Sequence, residues 1–130
     1  MKITKVTPIL SVENIEACLP FWIEKLGYEK TMEMPHDGRL GFVILVKDGI
    51  ELMLQTHASV RDDLPAIAEH FRPGSTCLYA DVDSIEEAAA SLAGVEIIVP
   101  LRETPYGARE LWVRTEEGHI LGLAEFAKRE

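Results

Sequence analysis

The sequence has little of what marks a reactive or polymer-binding protein. It holds only two cysteines in 130 residues, Cys18 and Cys77, too far apart for a CxxC metal site. Two buried thiols in a reducing compartment are the expectation. Basic residues are outnumbered, 13 Lys and Arg against 22 Asp and Glu, for a net charge of −9. Such a surface repels nucleic acid and anionic membrane, so neither is expected as a partner, whereas a cationic ligand is compatible. No apolar run approaches the roughly 20 residues of a membrane span, and the opening "MKITKVTPIL" lacks the long apolar core of a signal peptide. The expected compartment is the cytoplasm. Glycine-rich phosphate cradles and nucleophile elbows are missing, and Ser11, Ser59, Ser75, Ser84 and Ser91 have no flanking signature of an activated nucleophile. Acyl transfer and nucleotide chemistry have no support. Of the four histidines, His36, His57, His70 and His119, no two stand at the i,i+4 spacing of a helical metal site. They read as surface or packing residues, with His57 and His70 placed to reach over a groove as lid residues.

What is present is a repeat. The chain, 1–130, is read as one domain, long enough to bury about two-thirds of its unfolded surface without disulfide or metal. "KITKVTPILSV" reads as a strand with Thr7, Ile9 and Ser11 on one face and Val6, Pro8, Leu10 and Val12 on the other. Pro8 cannot donate to a ladder, which puts this strand at an edge. "ENIEACLPFWIEKLGY" reads as a helix capped by Asn14 and ended by Gly27, with Ile15, Cys18, Leu19, Trp22 and Ile23 on its apolar stripe and a kink at Pro20. "EKTMEMP", "RLGFVILV" and "IELMLQTH" follow as strands split by "HDG" and "KDG" turns. The second half repeats the order with "STCLYADV", the helix "DSIEEAAASLA" capped by Asp83 or Ser84, and the strands "VEIIVP", "RELWVRT" and "HILGLAEF". Gly38 to Gly49 spans 11 residues, as does Gly107 to Gly118.

The expected fold class is therefore α+β, two tandem βαβββ modules with concave mixed sheets. The first module covers 1–57 and the second 75–130, joined by a connector over 58–74 with a short helix ending at Pro73-Gly74. One helix for four strands leaves one face of each sheet bare, to meet another module, a second subunit or a ligand. That face carries Thr7, Ile9 and Ser11, then Glu51, Met53 and Gln55, in the first module. In the second it carries Cys77, Tyr79 and Asp81, then Glu110, Trp112 and Arg114, then Ile120, Gly122 and Ala124. An aromatic pair among scattered polar groups suits a small-molecule site, and the predicted ligand contacts are Trp112, Tyr79, Met53, Glu51, Ile9, Glu110 and Gly122. Arg109 and Glu110, beside "PYG", are expected at a groove mouth or on ordinary surface. Glu51 reads either as a carboxylate whose pKa burial would raise or as a solvated residue after a turn. Trp112 reads as a stacking residue or as interface packing.

The modules "LSVENIEACLPFWIEKLGY", "DGIELMLQ" and "GARELWVRTEEGHILGL" resemble the vicinal oxygen chelate superfamily, which includes glyoxalase I, extradiol dioxygenases and bleomycin-resistance proteins. The resemblance covers nearly the whole chain. It implies metal ligands on the first and fourth strands of each module, which here fall on Thr7, on Met53 with Glu51 beside it, on Cys77 and on Gly122. Those residues do not make an oxygen and nitrogen site, so the resemblance implies neither metal nor cofactor. "PIL", "GFVILVKDGIELML" and "YGARELWVRTEEG" resemble the bleomycin-resistance branch most. That branch implies a homodimer sequestering an apolar or aromatic ligand in an interface groove, an antibiotic-resistance role rather than catalysis. A divergent metal-dependent lyase, isomerase or dioxygenase is the alternative. Gly122 in this reading leaves floor space in the groove.

Overall fold

The computed structural model describes residues 1–71, 74 and 76–127. The chain forms two compact units, Met1–Gly74 and Ser75–Glu130, and each repeats the same strand order. In the first unit, β1 (Ile9–Val12) is followed by α1 (Ile15–Leu19), a π-helical stretch (Pro20–Lys25), β2 (Glu29–His36), β3 (Arg39–Lys47) and β4 (Ile50–Thr56). Two short helices, α2 (His57–Asp63) and α3 (Pro65–Ala68), close it. The second unit contains β5 (Cys77–Asp81), α4 (Ile85–Ser91), β6 (Glu96–Glu103), β7 (Ala108–Arg114) and β8 (Ile120–Phe126). The sheet orders are β1-β4-β3-β2 and β5-β8-β7-β6, with β1 on β4 and β5 on β8 parallel and the other pairs antiparallel. Among the described residues no helix is long and apolar enough to cross a membrane.

Turn chemistry sets the registers. Asp37-Gly38 and Asp48-Gly49 all take positive φ, the two-residue turn whose twist matches a hairpin. The second unit instead uses three-residue loops. The Gly107 amide donates to the Thr104 carbonyl and the Thr104 amide to that of Ala108, and Thr115, Gly118 and His119 repeat the pattern. Gly107 and Gly118, at φ +87 and +89, supply the left-handed residue this loop requires. Asn14 and Ser84 cap α1 and α4 by accepting from the Ala17 and Glu87 amides. Between Asp83 and Ser84, the structure selects Ser84. Ser84→Ala is expected to cost about 1 kcal/mol, read as a lower denaturant midpoint at unchanged slope.

Three elements depart from the sequence expectation. The first strand starts only at Ile9, so Val6 and Thr7 lie outside it, although the Pro8 carbonyl still accepts from the Met53 amide. The strand does sit at the sheet edge, as Pro8 requires. The expected single helix over 13–28 becomes α1 plus a π-helical stretch starting at Pro20. Proline has no amide to continue the ladder, and the Leu26 amide reaches back five residues to the Phe21 carbonyl. The wider turn rotates the apolar stripe, so Phe21 and Trp22 are buried while Leu19 and Ile23 are only half-buried. The connector begins its helix at His57, directly after β4, and forms two helices rather than one. Its expected end at Pro73-Gly74 involves Pro73, which lies outside the described residues.

The helix-facing sides carry the cores. Leu10, Val12, Val43, Leu45, Leu52 and Leu54 are buried in the first unit, with Ile15, Cys18 and Trp22 above them. Leu111, Val113, Leu121 and Leu123 are buried in the second, with Ile85 and Leu92 of the helical segment. Cys18 is buried as expected, but Cys77 is exposed, because it starts β5 on the sheet face away from α4.

Candidate functional site

Register places the expected bare-face residues together within each unit. In the first, Ile9 pairs Met53 and Ser11 pairs Gln55, while Ile44 and Val46 stand opposite Met53 and Glu51. Ile9 is 41% exposed and Met53 half-buried. Glu51 is neither orphaned nor buried: Lys5 Nζ lies 3.1 Å from its Oε1. Part of this face is covered by the connector. Gln55 Nε2 donates to Ser59 Oγ at 3.1 Å, and Ser11 Oγ shares a hydrogen bond with His57 Nδ1.

In the second unit Tyr79 pairs Gly122, which in turn pairs Trp112, and Ala124 pairs both Asp81 and Glu110. Here the bare face is organised around one buried charge. Glu110 is 0% exposed. Its Oε2 accepts from the Tyr79 hydroxyl at 2.7 Å and the Tyr106 hydroxyl at 2.9 Å. Its Oε1 accepts from Trp112 Nε1 at 3.1 Å and from Arg102 Nε and Nη2 at 3.1 and 2.6 Å. Burial alone would raise the Glu110 pKa; the donors from Tyr79, Trp112, Arg102 and Tyr106 outweigh it and hold the carboxyl at about 2. The same burial, with the bond to Glu110, pushes the Tyr79 hydroxyl up. Glu110 is thus a fixed anion and its hydroxyl partners fixed donors, which suits orientation rather than proton transfer.

The three rings it holds, Tyr79, Tyr106 and Trp112, form a strip together with Phe126. Tyr79 and Trp112 have centroids 5.6 Å apart, Tyr79 and Phe126 6.4 Å, and Tyr106 and Phe126 6.3 Å. Tyr79, Tyr106 and Phe126 are 43, 55 and 37% exposed. Exposed rings with saturated polar ends offer a flat apolar surface that cannot collapse inward.

Two residue roles differ from expectation. Glu110 does not line a groove mouth; it lies beneath the rings. Arg109, its neighbour, points to the other face, where its Nη1 meets Glu86 Oε1 of α4 at 2.6 Å. Gly122 leaves no floor space, because a Cβ there would lie 2.7–2.8 Å from three carbons of the Trp112 indole. The glycine makes room for Trp112, a cross-strand aromatic covering a strand glycine.

The sequence reading missed Arg102 and Tyr106. It ended the strand at Pro100, but β6 continues to Glu103 with register shifts between Ile97 and Val99 and between Val99 and Arg102. Pro100 on an edge strand marks such an irregularity, and the shift re-aims Arg102 to pair with Glu110. That proline was the available signal.

The superfamily's metal positions do not fit a metal within either unit. Thr7 and Met53 are poor donors for a hard ion, and Glu51 is committed to Lys5. In the second unit Gly122 is overlaid by indole, leaving Cys77 without a companion ligand on these positions. A separate cluster of His36, Asp37 and Asp62 brings ligand atoms within 4.8 Å. Its core is a His36 Nε2 to Asp62 contact of 2.7 Å that ties the end of β2 to α2.

No family model matches the sequence, and no curated protein matches it. Solved structures do. A glyoxalase/bleomycin resistance protein/dioxygenase from Nocardioides is 23% identical, with a TM-score of 0.75 over 100% of this chain and 88% of that one. TnmS3, an antibiotic binding protein from Streptomyces, is 22% identical at a TM-score of 0.73, over 98 and 99% of the two chains. A glyoxalase/bleomycin resistance protein/dioxygenase superfamily member from Sphaerobacter thermophilus is 26% identical at 0.71, over 95 and 98%. By fold, the chain is similar to solved members of the glyoxalase/bleomycin resistance protein/dioxygenase superfamily.

Proposed function

We propose that the protein binds and sequesters a small planar aromatic molecule on the ring strip of its second unit, without a metal and without chemistry. The observation that carries this reading is Glu110, buried and saturated by five donor contacts. A carboxylate used up in holding Trp112, Tyr79 and Tyr106 is a device for rigid aromatic presentation, and rigid rings lose little entropy on binding. The net charge of −9 favours a neutral or cationic guest. The similarity to an antibiotic binding protein supports a natural-product ligand and a resistance role in the cytoplasm. The proposal includes a homodimer in which Ile9, Glu51 and Met53 of one copy face the strip of the other, as the resemblance implies.

The test is equilibrium dialysis of the purified protein against planar aromatic compounds, cationic, neutral and anionic, with and without EDTA. Saturable one-to-one binding that EDTA leaves unchanged is expected. Binding that EDTA abolishes and a divalent ion restores would overturn the metal-free reading.

A further inference from the structure

We propose that the first unit carries a second, separate site: a groove between β1 and the α2–α3 segment that takes a small monocarboxylic acid with a compact apolar body. The groove encloses about 510 Å³, within the range of small-molecule sites, and every residue lining it belongs to the first unit. Its wall is apolar, formed by Val60, Pro65, Ala68 and Phe71. Its polar groups come from Ser11, His57, Arg61 and Glu69. Ser11, only 1% exposed, and His57 both line it, and the hydrogen bond between them holds both side chains in place.

The charged lining residues select the ligand. Arg61 lines the groove from α2, and among the described residues its guanidinium makes no ion pair or hydrogen bond. An exposed guanidinium lining the same groove as a serine–histidine pair is a fork suited to a carboxylate. Glu69, in the turn after α3, also lines the groove and would repel a second negative charge. One acid group with an apolar remainder satisfies both; a diacid does not. An amine could pair with Glu69 but would leave Arg61 unpaired and repelled, and is disfavoured.

This site is separable from the aromatic strip because it shares no residue with it. The experiment is a heteronuclear NMR titration of the full chain with phenylacetate and benzoate, and with benzylamine and benzyl alcohol as the cationic and neutral probes. At millimolar concentrations the acids are expected to give saturable shifts in the amides of 57–71 and Ser11, and the amine none. Arg61→Glu should weaken acid binding by about tenfold or more, while Arg61→Lys retains most of it. Arg61 is exposed, so these variants fold, which circular dichroism verifies. The proposal is overturned if the amine or alcohol binds as well as the acids, if the shifts fall only in the second unit, if Arg61→Glu changes nothing, or if no acid gives saturable shifts.

Discussion

Glu110→Ala is expected to destabilise the protein by about 3 kcal/mol, from lost hydrogen bonds of roughly 1 kcal/mol each and the cavity left behind. The loss has three parts. Tyr79, Tyr106 and Trp112 each lose the acceptor of a hydrogen bond, Arg102 loses its counter-ion, and a cavity opens beneath the rings. Arg102, at 47% side-chain exposure, and the exposed Tyr79 and Tyr106 recover part of their share from water, whereas the half-buried Trp112 recovers less.

The same residue gives a pH signature. The Glu110 pKa is depressed from the ordinary 4.5 to about 2 in the folded protein. A depressed acid contributes stability that is complete above its unfolded value and is lost as pH falls toward its folded one. Denaturant titrations should therefore show this contribution fading between pH 4.5 and about 2. Arg102→Met should be less stable than the parent at neutral pH, with the gap narrowing toward pH 2 as Glu110 protonates. A gap that stays constant with pH would show that Arg102 acts by packing alone. A Glu110→Ala variant within about 0.5 kcal/mol of the parent would mean the buried carboxylate is not the anchor described.

The second large effect is at Gly122. Gly122→Glu would place at this position the type of residue the superfamily's metalloenzymes use, yet it is expected to yield no metal site. A Cβ there collides with the indole of Trp112, whose Nε1 is held by Glu110, so the ring cannot swing aside without breaking that bond. Overpacking costs about 1–3 kcal/mol, and a second carboxylate beside buried Glu110 adds like-charge repulsion. The expected result is a lower unfolding midpoint, a changed near-ultraviolet circular dichroism band from Trp112, and no stoichiometric zinc, nickel, manganese or iron after chelator-free purification. Gly122→Ala should show the same spectral change with a smaller stability loss. Tight metal binding by Gly122→Glu at undiminished stability would mean that the glycine, and not the surrounding geometry, keeps metal out.

Much of the site was legible because strands alternate. Period two, read from "CLYAD", "RELWVR" and "ILGLAEF", puts Tyr79, Glu110, Trp112 and Gly122 on one face, and the observed register pairs them. Alternation gives a face but not a depth. That Glu110 is buried depends on Arg102, delivered by an irregularity near Pro100, and on Tyr106, delivered by a turn, and neither obeys the period. The role of Gly122 was opaque for a related reason. A glycine in a strand signals that something comes close, while the identity of that neighbour lies across the ladder at Trp112. In the helix, the propensity pattern located both ends, but one proline converted its second half to a π-helical stretch and changed which residues are buried. His57 shows the limit most plainly. It stands 46 residues from Ser11, and only the parallel pairing of β1 with β4 brings them together.

The most direct measurement is a tryptophan fluorescence titration with a planar aromatic compound. Trp22 is 3% exposed and packed edge-on against Phe21 and Tyr28, so it serves as an internal control, while Trp112 reports the ring strip. Saturable quenching that survives Trp22→Phe and disappears in Trp112→Phe is the predicted result. Quenching that persists in Trp112→Phe, or no quenching by any compound that dialysis shows to bind, would contradict the assignment of the aromatic strip as the binding surface.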